Sequence, residues 1–60
     1  MERVIRILME RDDLTRWRAE EIVQDALDMI YDNLDDPDYC EEIWMEETGL
    51  EPDYLLEVLT

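Results

Sequence analysis

Residues 16 to 34 read RWRAEEIVQDALDMIYDNL. Ala19, Ile22, Val23, Ala26, Leu27, Ile30, Tyr31 and Leu34 recur at intervals of three and four, which lines them along one face of a helix sustained over four turns. This segment is therefore read as the central helix, and the rest of the chain is placed against it.

On its N-terminal side lies Asp12-Asp13-Leu14-Thr15. Asp tolerates the left-handed conformation better than most residues, so Asp13 suits the turn, and Thr15 supplies a hydroxyl to cap the helix that starts at Arg16. Before that turn, Val4, Ile5, Leu8 and Met9 oppose Glu2, Arg3, Arg6 and Glu10, a pattern that fits a short amphipathic helix over 2–11. A strand through VIRILM is the alternative. Downstream, Asp35 and Asp36 end the central helix, and Asp36-Pro37 reads as the cap and first position of a third one. In it Tyr39, Cys40, Ile43 and Trp44 share a face opposite Asp38, Glu41, Glu42 and Glu46. Gly49 supplies a left-handed stop and Leu50 folds back, while Pro52 opens a last helix with Leu55, Val58 and Leu59 facing inward. The expected fold is all-α, one domain over 1–60, with about four helices at 2–11, 16–34, 37–48 and 52–59.

A 60-residue chain buries only about 60% of the surface its unfolded form exposes, so its core is marginal without help. Disulfides cannot supply that help, because Cys40 is the single cysteine, and with no His a conventional zinc site lacks its ligands. Self-association is the remaining route. With 47% apolar residues, a homodimer with the central helix in its interface is expected. The N-terminal apolar run is interrupted by Arg6, and nothing approaches the roughly 20 apolar residues of a membrane span. The sequence thus points to a cytoplasmic protein without membrane contact, and a lone thiol fits a reducing compartment.

Most chemistry is excluded by composition. There is no His, Lys or Ser to build an activated nucleophile, and Cys40 lies on an apolar face where a thiol is inert. Carboxylates are abundant, but a small helical domain leaves little volume for a catalytic pocket. No enzyme activity and no cofactor are expected. DNLDDPDYCEEI, from Asp32, has the flavour of a calcium loop but fails it, with Leu34 at position 3, Pro37 where the turn needs Gly and Ile43 where the bidentate Glu belongs.

What remains is the distribution of charge. The net charge is −14, and all five bases are arginines at positions 3, 6, 11, 16 and 18. Residues 19 to 60 hold fifteen acids and no base. Glu21, Asp25, Asp28, Asp32 and Asp35 are spaced 4, 3, 4 and 3 apart, an edge of about 21 Å on a continuous helix, which Asp36, Asp38, Glu41, Glu42 and Glu46 widen. Each like-charged step costs about 0.2–0.5 kcal/mol, and an ordinary solvent-facing helix relieves it by alternating Lys with Glu. Solubility or adaptation to high salt could account for such a face; so could a cationic partner. Arg16 and Arg18 stand in the first turn of the helix, where its dipole disfavours cations. Local pairing, Arg16 with Glu20 or Asp12 and Arg18 with Glu21 or Asp13, offsets this.

RDDLTRWRAEEIVQDALDMIYDNL followed by GLEPDYLLEVL resembles a group of very small acidic helical proteins of bacteriophages and prophages, with an RDGLS-like turn and a GLEPDYL-like closing segment. The resemblance spans nearly the whole chain and rests on caps and turns: Thr15, Gly49, Leu50, Pro52 and Tyr54. Asp13 departs from the Gly of that turn, and Arg16 and Arg18 from its acids. Those motifs fix a fold and no chemistry, and what the resemblance implies is a phage context; the acidic edge read in that context points to a phage-type inhibitor, anti-CRISPR or anti-restriction in class, that imitates nucleic acid. Its partner would be a basic nucleic-acid-binding protein of the host, met in the host cytoplasm, with no direct binding of nucleic acid. Glu21, Asp25, Asp28, Asp32, Asp35, Asp36, Asp38, Glu41, Glu42 and Glu46 are the candidate contacts. The alternative is a helical adaptor or homodimer that binds through an apolar patch around Trp17, Tyr31 or Trp44.

Overall fold

The computed structural model describes residues 1–59, which form four helices: α1 Glu2–Asp12, α2 Arg16–Tyr31, α3 Pro37–Thr48 and α4 Pro52–Leu59. There is no strand among the described residues, so VIRILM is helical. The turns form where residue type dictated. Asp13 takes φ 53°, ψ 45°, and the N–H groups of Asp13 and Leu14 both donate to the Met9 carbonyl. Thr15 accepts from the Arg18 N–H, Asp36 from that of Tyr39, and Gly49 closes α3 at φ 71°.

The core is one cluster built from a stripe of each helix. Val4, Ile5 and Leu8 meet Ala19, Val23, Ala26, Leu27 and Ile30, and behind them stand Cys40, Ile43, Trp44, Leu50 and Leu55. The most extensive interhelical contact joins α2 to α3; α1 lies on α2, and α4 on α3. Trp44 is wholly buried, its indole N–H donating to the Glu51 carbonyl at 3.0 Å. Thr48, also buried, donates to Trp44 O and accepts from the Leu50 N–H. These bonds lock the corner between α3 and α4.

The sequence reading requires correction at several points. The apolar period runs to Leu34, but α2 stops at Tyr31. The Asn33 amide donates to Met29 O, the acceptor a continuing helix would offer its backbone N–H, and that N–H turns to Ile30 O instead. A C-terminus followed by Asp32, Asp35 and Asp36 is also disfavoured by the helix dipole. The expected inward positions Tyr31, Leu34, Tyr39 and Leu59 are exposed, because so small a bundle lacks the interior to take them. No helix among the described residues is long and apolar enough to cross a membrane.

Candidate functional site

The arginines come first, because they decide which carboxylates are left over. Arg3 crosses from α1 to α4, 3.4 Å from Glu57 and over the Tyr54 ring at 5.4 Å. Arg11 reaches the end of α3, donating to Thr48 O at 2.7 Å and Gly49 O at 3.2 Å while its other edge binds Asp12. This brings a cation to the negative end of α3, a helix without a base in its own last turn. Arg16 pairs with Glu20, as expected, and with Glu2 in α1 rather than Asp12. Arg18 pairs with Glu21. Hydrogen bonds from Arg16 hold the Glu2 carboxyl below its ordinary range, and Arg11 does the same to Asp12.

Four of the five arginines are thus engaged with the chain's own groups. Of the fifteen acids beyond residue 18, Glu20, Glu21 and Glu57 have an arginine partner. The other twelve, Asp25 through Asp53, are exposed and have no salt bridge among the described residues.

The ten sequence-derived candidates fall into three groups. On α2, Glu21, Asp25 and Asp28 lie opposite the buried stripe, so the helical edge spans about 10 Å rather than 21 Å. Glu21 is half-buried against Arg18, and Asp28 accepts from Gln24 at 3.0 Å. Asp32 and Asp35 leave the helix for the turn, and Asp36 spends its carboxylate on capping α3. On α3, Asp38, Glu41, Glu42 and Glu46 share the face opposite Cys40, Ile43 and Trp44. The expected single ruler of charge is therefore two short helical edges joined by an acidic turn.

Trp17, 72% exposed, stands on the outer side of α2 over a shallow depression with Glu20, Glu21, Gln24 and Asp25. Tyr31 is exposed as well, whereas the buried Trp44 cannot belong to a surface patch. Cys40 is buried; its thiol donates to Asn33 O at 3.0 Å, and burial, then the nearby Asp36 and Asp35, pushes its pKa up. No cluster of three or more His, Cys, Asp or Glu groups among the described residues is arranged to hold a metal ion.

What the fold and this surface define is a small all-α bundle with a segregated acidic face. Compared with known proteins, the chain matches no family model, no curated protein and no solved structure.

Proposed function

We propose that the chain is an inhibitor of the anti-CRISPR or anti-restriction class, phage-type in origin, that occupies a basic groove meant for nucleic acid. The observation that carries this reading is the segregation of charge: four of the five arginines are engaged with the chain's own groups while twelve exposed carboxylates stand without a cationic partner among the described residues. The molecule is 33 Å long and bears −14, about one net charge per 2.4 Å of length. That density lies between one strand of DNA, about one charge per 3.4 Å, and the duplex, about one per 1.7 Å. A protein groove evolved for phosphates meets a comparable field here. Asp25, Asp32, Asp35, Asp38, Glu41, Glu42 and Glu46 would face its arginines and lysines, with Glu21, Asp28 and Asp36 contributing charge from positions engaged with Arg18, Gln24 and the cap of α3.

Affinity capture from a bacterial lysate tests the reading. We expect nucleic-acid-binding proteins to be held at low salt and released both by salt and by added DNA, since screening removes the attraction and DNA competes for the groove. A partner retained at high salt and indifferent to DNA would contradict it.

A further inference from the structure

We infer that the open apolar groove between the end of α2, the start of α3 and α4 docks an amphipathic segment of a partner protein whose apolar anchors are flanked by arginine or lysine. The groove holds about 310 Å³, at the small end of protein binding sites. Ile30, Cys40 and Leu55 form its buried floor, and Leu34, Leu56 and Leu59 stand around it, 59%, 64% and 39% exposed. A bundle short of buried apolar area leaves three leucines at one place on its surface, and a helix laid there covers them by the helix-in-groove mode.

Charge selects the occupant. Glu41 and Asp53 line the groove, while all five arginines lie within residues 1–18 and none lines it. A cationic flank on the incoming segment meets these carboxylates favourably, and an anionic flank is repelled. A second copy of the chain suits the groove poorly, because it brings a net −14 and four of its five arginines are already engaged. The groove borders the acidic turn and shares Glu41 with the proposed acidic face, but its apolar anchors Leu34, Leu56 and Leu59 play no part in that face, so the inference goes beyond the proposed function.

Three synthetic peptides test it by fluorescence anisotropy: a Leu/Arg helix with leucines at i, i+3, i+4 and i+7, a scrambled peptide of the same composition without an apolar face, and the patterned peptide with Glu in place of Arg. We expect the patterned basic peptide to bind at least about tenfold tighter than either control, a margin typical of anchor residues. Leu34→Asp and the double variant Leu34→Asp/Leu56→Asp should each weaken it, the double by about tenfold or more, while Glu10→Gln, at an exposed position on α1, should leave it nearly unchanged. Both leucines are exposed, and circular dichroism verifies that the variants fold. Equal binding of patterned and scrambled peptides would reduce the effect to general charge attraction and overturn the inference. So would equal binding of the Glu peptide, or unchanged binding by a folded double variant. A dimer of the parent chain that the double variant dissociates would assign the groove to a second copy instead.

Discussion

Removing the Arg11 side chain is the sharpest test of how this acidic bundle holds together. Its guanidinium donates to Thr48 O and Gly49 O at the end of α3, bridging α1 to a corner 37 residues away. Hydrogen bonds from charged groups contribute about 1.5–3 kcal/mol when protected, but this side chain is 41% exposed, so water replaces part and about 1 kcal/mol is the fair figure for the pair. The cation at the negative end of α3 adds about 0.3–1 kcal/mol. Arg11→Ala should therefore destabilise by about 1.3–2 kcal/mol, a large share of the roughly 3–9 kcal/mol expected of 60 residues, and lower Tm by about 5–16 °C. Arg11→Lys keeps the charge and should recover about half of the loss. Gly49→Ala adds a second arm. The left-handed φ of 71° costs a Cβ about 1–2 kcal/mol, and that Cβ would stand 3.0 Å from Arg11 Nη1. The two substitutions should then be less than additive, because removing the guanidinium removes the clash. Thermal melts of the four proteins in the cycle measure this. An Arg11→Ala variant melting with the parent, or strict additivity, would refute the clamp.

Three further outcomes follow from the same geometry. Asp13→Gly should raise Tm by a few degrees, since Asp13 holds φ 53° where glycine bears no steric penalty; a lower Tm would show that its side chain matters more than its backbone. Glu2 has its folded pKa lowered by Arg16, so its contribution to stability is full above the ordinary value of 4.5 and is lost as pH falls through the lowered value; Glu2→Gln should flatten the stability profile in that acid limb and nowhere else. We also propose a homodimer to which α2 contributes, and sedimentation at micromolar concentration should show it; a single species near 7.3 kDa would contradict it.

Local signals carried far in this sequence, and long-range ones did not. Asp13, Thr15, Asp36-Pro37 and Gly49 announce the ends of helices because a cap is decided by one or two residues and their own backbone preferences. The end of α2 was not legible: the apolar period continues to Leu34, and the helix stops three residues earlier where the Asn33 amide takes the Met29 carbonyl and, once α3 folds back, the Cys40 thiol takes that of Asn33. The acidic edge was legible as composition but not as geometry, since that stop moves Asp32 and Asp35 off the helix. Spacing on a helix could find the pairs of Arg16 with Glu20 and of Arg18 with Glu21. It could not find Arg3 with Glu57 or Arg11 with the end of α3, which exist only once the bundle has formed.

The most direct test of the proposed function reverses two charges on the acidic face. Asp25 is exposed on α2 and Asp32 follows its last turn, and neither has a salt bridge among the described residues. Asp25→Lys/Asp32→Lys relieves repulsion along the edge and places a cation at the helix C-terminus, which together should raise stability by up to about 1 kcal/mol. Against a basic groove the same lysines face like charges, at a cost of several kcal/mol, or about a hundredfold or more in affinity. Thermal melting measured beside competition with duplex DNA for the captured protein should therefore give a variant that is more stable and yet no longer competes; a variant that melts higher and competes as well as the parent would mean that the acidic face is only a solvated surface.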